Sequence, residues 1–302
     1  MKLCRFTIDD RQGLGCIVGD SADGILDITD TVGSVNMIDV IEKGKLAQQI
    51  ENHISNARSS ELFDLREVQI LPPIARPGKI VCLAGNYAAH IAESGFVEPR
   101  TRANFTQQLF LKPSSSLLGD SGEIELSHAN RRVGWETELA VVIGKGGRYI
   151  PASEAYEHVF GYTILNDISE RGLNSSISDR HMREMDGFCD WLAGKWFDGF
   201  APCGPWVVTR DEVSHPDKLE IKFYLNGELR QHGSTVDMIF SIPEQISYIS
   251  SIMTLEPGDI ISTGTPAGAG VGDAKTTLED GDVLVSEIER IGRLRNTVRW
   301  TA

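Results

Sequence analysis

The 302-residue chain carries 29 Lys and Arg against 43 Asp and Glu, a formal net charge of −14 at pH 7, with 41% hydrophobic and 24% charged residues. This balance excludes a disordered, collagenous or coiled-coil chain, and the length predicts about two domains with a core deep enough to hold an active site. The acidic residues are spread along the whole chain, so a nucleic-acid backbone would be repelled, and an anionic substrate would need a local cation, either a Lys/Arg cluster or a metal held by carboxylates.

No apolar run approaches the roughly 20 residues a bilayer span needs, and the N-terminus MKLCRFTIDD carries charge where a signal peptide would be apolar. The expectation is a cytoplasmic protein. Cys4, Cys16, Cys82, Cys189 and Cys203 are odd in number, widely spaced and form no CxxC, which suits reduced thiols and predicts neither a disulfide nor a zinc cluster.

In chain order, Lys2 to Ile8, Leu14 to Val18 and Ile25 to Ile28 read as short strands joined by the turn segments DDRQG and DSADG. From Asn36 to Arg58 the apolar positions Met37, Val40, Ile41, Leu46, Ile50 and Ile54 recur at helical spacing, predicting one or two amphipathic helices. The prolines of LPPIARPG then bar both helix and central strand, so a boundary is expected there, with a small N-terminal α+β domain over 1–75 and a second domain over 76–302. KIVCLAG reads as a strand ending at Gly85, and NYAAHIAES as a short helix closed by Gly95. Strands are expected at Gln108 to Leu111, Leu139 to Ile143, Tyr162 to Leu165, Trp206 to Thr209, Glu220 to Leu225 before the turn pair Asn226-Gly227, and Asp259 to Thr263. The fold class is therefore α+β with a mostly β second domain, not a doubly wound sheet.

The chain holds no GxSxG, no HExxH and no Walker A segment, since Gly194-Lys195 runs into Trp196, and a proline interrupts the glycine-rich stretch Gly264 to Gly272. Serine hydrolase, zincin, P-loop and Rossmann readings fall away. In WETELAVVIGK, Glu136 and Glu138 are two apart on a strand and share a face. An exposed strand end accounts for the pair as well as a bound cation does; if buried, the two charges require neutralisation. Asp167 ends another apolar strand in GYTILNDISER, and three carboxylates from two strands suit an oxygen-preferring ion such as Mg²⁺. His90 and Glu93, three apart in NYAAHIAES, share a helix face where a carboxylate raises the basicity of an imidazole, although an isolated HxxE is more often a solvated surface pair.

Taken in order, GNYAAHIAE, LFLKPSSSLLG, WETELAVVIGK, GYTILNDISER, FAPCGPWVVT, LNGELRQHGST and LEPGDIISTGTPAGAG resemble the catalytic domain of the fumarylacetoacetate hydrolase family from about Lys79 to the C-terminus. The resemblance implies that family's β-sandwich roll, metal ligands at Glu136, Glu138 and Asp167, and a His-Glu dyad at His90 and Glu93. It places the substrate-orienting Arg, Gln and Lys at Arg171, Asn174 and Lys195, and a threonine beside the substrate carboxylate at Thr265. Where members read NDVSARDxQ this chain reads NDISERGLN, so Asn174 is a methylene shorter than the usual Gln and Gly172 replaces an Asp.

The implied chemistry is a 2-oxo acid chelated by Mg²⁺ or Mn²⁺, water activated by His90 and Glu93, and carbon-carbon cleavage leaving a pyruvate-type enolate stabilised by the metal and Lys195. Acylpyruvate or fumarylpyruvate hydrolysis is the first choice. Decarboxylation of oxaloacetate and isomerisation of 2-hydroxyhepta-2,4-diene-1,7-dioate on the same site are the alternatives. A non-catalytic binding protein would have no use for the His90–Glu93 pair, and a purely structural role fits polar motifs clustered at strand ends least. Trp191, Trp196, Phe197 and Phe200 flank Lys195 and are expected to fill a core. The stretch ESGFVEPRTRANF after the dyad reads as a lid. The resemblance further implies a homodimer joined through the β-rich domain.

Overall fold

Runs of apolar and β-branched residues between turn signals become strands, and most of them join one sheet. The computed structural model describes residues 1–19, 24–44, 46–93, 95, 101–127, 132–175, 177, 179–271 and 276–301. Its 12-stranded sheet runs in the order Leu62–Asp64, Gly24–Asp27, Arg11–Val18, Lys2–Ile8, Ala201–Thr209, Val159–Asn166, Thr137–Ile143, Ile260–Ser262, Ile80–Ala84 and Gln108–Lys112, with Gln69–Leu71 and Leu117–Leu118 added at its side. The N-terminal meander is continuous with this sheet, because Lys2 and Leu3 pair with Val208 and Val207.

The strand Thr137–Ile143 is buried along its whole length and shows why LAVVI reads as an uninterrupted apolar run. Leu139, Val141 and Ile143 enter one core cluster with Ile221, Ile288 and Leu294, contributed by a second sheet. Ala140 and Val142 point the other way, into a cluster with Leu14, Val40 and Ile50 from the N-terminal segment. The second sheet has five strands, in the order Glu228–Ser234, Glu220–Leu225, Val283–Ile288, Gly292–Trp300 and Glu123–Leu126. Its first hairpin turns at Asn226-Gly227 with φ of 53° and 83°, the left-handed pair that a two-residue hairpin requires.

The expected helical stretch 36–58 forms two helices, Met37–Glu42 and Leu46–Asn56, preceded by a single turn at Thr29–Val32. The strand expected at Asp259 to Thr263 is shorter, Ile260–Ser262, and at its entrance the Asp259 carboxylate accepts the amides of Lys79 at 2.9 Å and Glu256 at 2.8 Å. The strands Val283–Ile288 and Gly292–Trp300 and the helices Asp186–Ala193 and Ile242–Ile252 are additional to the expected elements. Part of the expected turn DSADG (20–23) and part of the expected lid (94 and 96–100) lie outside the described residues. Among the described residues no helix is long and apolar enough to cross a membrane, and the five cysteines are free thiols, all buried except Cys189.

Candidate active site

Strand register brings the acidic residues together. Thr137 pairs with Asn166, so Glu136 and Asp167 stand opposite each other just past the paired ends, where the Asp167 amide donates to the Glu136 carbonyl at 2.8 Å. Glu138, two residues on from Glu136, shares its face. Asn166 fixes the end of the ladder by accepting the Glu136 amide at 2.9 Å. One oxygen each of Glu136, Glu138 and Asp167 lies within 4.8 Å of the others, and all three residues are buried. The exposed-strand-end account of the glutamates is thereby excluded.

Three cations converge on this trio. Lys195 Nζ donates to Glu136 Oε2 at 2.8 Å and to Asp167 Oδ2 at 2.6 Å. Lys112 Nζ reaches Asp167 Oδ1 at 2.5 Å and the Ile168 carbonyl at 3.2 Å. Arg171 donates to Glu136 Oε1 at 3.0 Å and to the Ala269 carbonyl at 2.8 Å. Gly134 makes room for that guanidinium, since a Cβ there would stand 2.1 Å from Arg171 Nη1. Burial opposes ionisation of Glu136, but the Lys195 and Arg171 charges outweigh it and hold the carboxyl far below its ordinary value. Lys195 mirrors this: burial would lower it, and the Asp167 and Glu136 charges raise it instead.

Among the described residues Glu138 has no such partner. Its Oε2 accepts only from the Ser262 hydroxyl at 2.5 Å and the Gly264 amide at 2.9 Å. Burial first, and the facing Asp167 charge second, push it up to about 8. Three converging hard oxygen donors, one of them short of positive charge, fit a divalent cation of the Mg²⁺ or Mn²⁺ kind.

The helix Ala88–Glu93 carries the dyad. His90 Nδ1 lies 3.7 Å from Glu93 Oε2. Glu93 is anchored by the glycine-rich loop, accepting the amides of Gly268 at 3.0 Å and Gly270 at 3.2 Å, and the neighbouring His90 heads the influences that keep its carboxyl below the ordinary value. The same loop is tied down from behind by Trp135, whose Nε1 donates to the Gly268 carbonyl at 3.1 Å.

A cavity of about 790 Å³ opens over these groups, lined among others by His90, Glu136, Glu138, Arg171, Lys195 and Thr265. Thr265 donates its hydroxyl proton to the Thr137 carbonyl at 2.9 Å and accepts from Gln231 Nε2 at 2.8 Å. Gln231 is wholly buried and also accepts the Thr137 amide at 3.0 Å, so it staples the Thr265 loop to the strand Thr137–Ile143. Asn174 is not among the lining residues: it is exposed, with a left-handed φ of 60°, and its amide donates to Asp190 at 2.9 Å. Of the aromatics expected in a core, Phe197 and Phe200 pack there, with ring centroids 5.0 Å apart. Trp191 packs against another core cluster and also lines the cavity, together with Phe188 and Phe110, and Trp196 is exposed. Lys112, Gln231 and Asn166 were not singled out from the sequence. Each acts on a partner at least 30 positions away, so nothing in its local pattern marks it.

Residues 79–299 match the family model of the C-terminal domain of fumarylacetoacetate hydrolase. Maleylpyruvate hydrolase of Aquipseudomonas alcaligenes is 35% identical over 99% of this chain and 99% of its own. The mitochondrial oxaloacetate tautomerase of Homo sapiens is 36% identical over 99% of this chain and 91% of its own. The crystal structure of maleylpyruvate hydrolase from Sphingobium sp. SYK-6, in complex with a manganese(II) ion and pyruvate, superposes with a TM-score of 0.81 at 32% identity, covering all of both chains.

Proposed function

The chain belongs to the fumarylacetoacetate hydrolase family of metal-dependent enzymes, and from that premise we propose that it hydrolyses a carbon-carbon bond in a β-diketo acid of the acylpyruvate type. The observation that carries this reading is the nearness of His90 to a Glu93 locked onto the Gly268 and Gly270 amides, with His90 lining the same cavity as Glu136 and Glu138 of the carboxylate trio. Hydrolysis needs an activated water. In this reading His90 takes its proton and Glu93 holds the imidazolium that results.

A divalent ion bound by Glu136, Glu138 and Asp167 would polarise the carboxylate and keto oxygens of a 2-oxo acid. Lys195, kept as an ammonium by its two carboxylate partners, supplies a buried donor to an oxygen that gains negative charge. Arg171 keeps Glu136 in place and so orients the ligand set.

A second reading is favoured by the relative named oxaloacetate tautomerase, similar to this chain over nearly the same span. Moving a proton between carbon and oxygen requires no water, so His90 would suffice without Glu93, and decarboxylation or diene-dioate isomerisation would be equally independent of an activated water. Acylpyruvates, oxaloacetate and hydroxymuconate-type acids assayed with Mg²⁺ or Mn²⁺, in wild type and Glu93→Gln, separate the two. Acylpyruvate cleavage by wild type that Glu93→Gln loses supports hydrolysis. Rapid conversion of oxaloacetate with every acylpyruvate left intact would overturn it in favour of the second reading.

A further inference from the structure

The cavity holds one more cation, one with no acceptor among the described residues. Arg132 lines it alongside Glu136 and Glu138, on the short ladder in which Val133 pairs with Glu170 and the Arg171 amide donates to the Arg132 carbonyl at 2.7 Å. The backbone around it is thus fixed, the Arg132 amide itself donating to Glu170 Oε1 at 3.0 Å. Its side chain is not engaged: the buried Nε has no hydrogen-bond partner, and the guanidinium forms no ion pair with any described residue. The other cavity cations differ in this respect. Lys195 is taken up by Glu136 and Asp167, and Arg171 by Glu136 and the Ala269 carbonyl.

A buried guanidinium N–H without an acceptor costs stability in the free protein, and in a cavity the cost is recovered by a ligand that supplies the acceptor. A planar five-donor fork favours a carboxylate, which it can bind in two-point fashion. The trio, with its metal, already accounts for the 2-oxo acid end of a substrate. The rings of Phe110, Phe188 and Trp191 line the same cavity and offer apolar surface to a short carbon chain, with Phe188 and Trp191 stacked at 5.7 Å.

We propose that Arg132 receives the distal carboxylate of the substrate and makes this enzyme selective for 2-oxo dioic acids over 2-oxo acids with an apolar tail. This rests on the 2-oxo acid reading given above and narrows it. Arg132 specifies the substrate and takes no part in the bond-breaking step.

Binding to the Mn²⁺-loaded full-length protein, measured by calorimetry, tests it with two pairs of probes: 2-oxoglutarate against 2-oxopentanoate, and 2-oxoadipate against 2-oxohexanoate. Within each pair only the terminal group differs. In wild type at least one dioic acid should bind roughly 10- to 100-fold tighter than its monoacid partner, the scale of a charge-assisted hydrogen-bonded pair. Arg132→Met should erase that preference while leaving monoacid and Mn²⁺ affinities unchanged, and Arg132→Lys should restore part of it. Equal binding within both pairs in wild type, or a preference that survives in Arg132→Met, overturns the proposal alone. If none of the four acids, nor pyruvate, binds the Mn²⁺-loaded wild type, the 2-oxo acid reading falls and the proposal with it.

Discussion

Asp167 is held between two ammonium groups, Lys112 on Oδ1 and Lys195 on Oδ2. The Lys112 side chain is completely buried and pairs with no other acid among the described residues, so its charge serves Asp167. Lys112→Met would leave that carboxylate with half its compensation, at a cost of about 3 kcal/mol, toward the low end for breaking a buried pair because Lys195 remains. A divalent ion supplies the missing positive charge. The rise in Tm on adding saturating Mn²⁺ should therefore be larger in Lys112→Met than in wild type, and equal rises would show that Lys112 does not serve the metal site. The sequence made the acids legible and left the lysine hidden for one reason: acids spaced two apart at the mouth of an apolar strand form a local pattern, whereas Lys112 meets its partner 55 residues away. Asn174 illustrates the converse. Its motif position aligned with a substrate contact, yet a left-handed backbone and an Asp190 within reach turn the side chain outward.

The elements that build the site are short, and the glycine-rich loop after Ile260–Ser262 binds them together. Gly268 has a φ of +96°, its amide holds Glu93, and a Cβ there would stand 2.0 Å from the Arg230 carbonyl. Neither the dihedral nor the backbone contact can relax cheaply, so Gly268→Ala should destabilise the protein by more than about 1 kcal/mol. It should also cut hydrolysis more than it cuts Mn²⁺ affinity, because the Gly268 amide holds Glu93, whereas the loop's direct bond to the trio comes from Gly264. Thermal unfolding, steady-state rates and a metal titration on one preparation check this, and an intact rate with native Tm would refute it. The loop was visible in the sequence as a glycine cluster, but its role was not, since its contacts run to Glu93, Trp135 and Arg171. Core strands were legible through continuous apolar runs. The helix Ile242–Ile252 also carried its signals, a capping box of Ser241 with Glu244 and Ile242, Ile246 and Ile249 on one buried face. The strands Val283–Ile288 and Gly292–Trp300 bury alternate positions, but interleaved charges such as Glu287, Arg293 and Arg295 mask the period.

At the scale of the whole molecule, charge sets the terms on which an anion can bind. Removing divalent ions with EDTA should abolish turnover, and Mg²⁺ or Mn²⁺ should restore it; full activity in a metal-free preparation would refute the role given to the trio. We retain the homodimer as a proposal. The segment 177–188 exposes Ile177, Met182, Met185 and Phe188 by more than half, an apolar surface that a second copy would cover, and a stable monomer in sedimentation at micromolar concentration would reject it. The last consequence concerns approach to the site. With a net charge of −14, the protein repels a dianionic substrate at long range even when a divalent ion is bound, while Arg132, Arg171 and Lys195 attract it only inside the cavity. Raising ionic strength from about 10 mM to about 150 mM shortens the screening length from about 30 Å to about 8 Å, which weakens the distant repulsion more than the buried attraction. kcat/KM should therefore rise with salt, more steeply for a dioic acid than for a monoacid, at constant saturating Mn²⁺. A fall with salt would mean that the cations at the cavity dominate the field an incoming substrate meets.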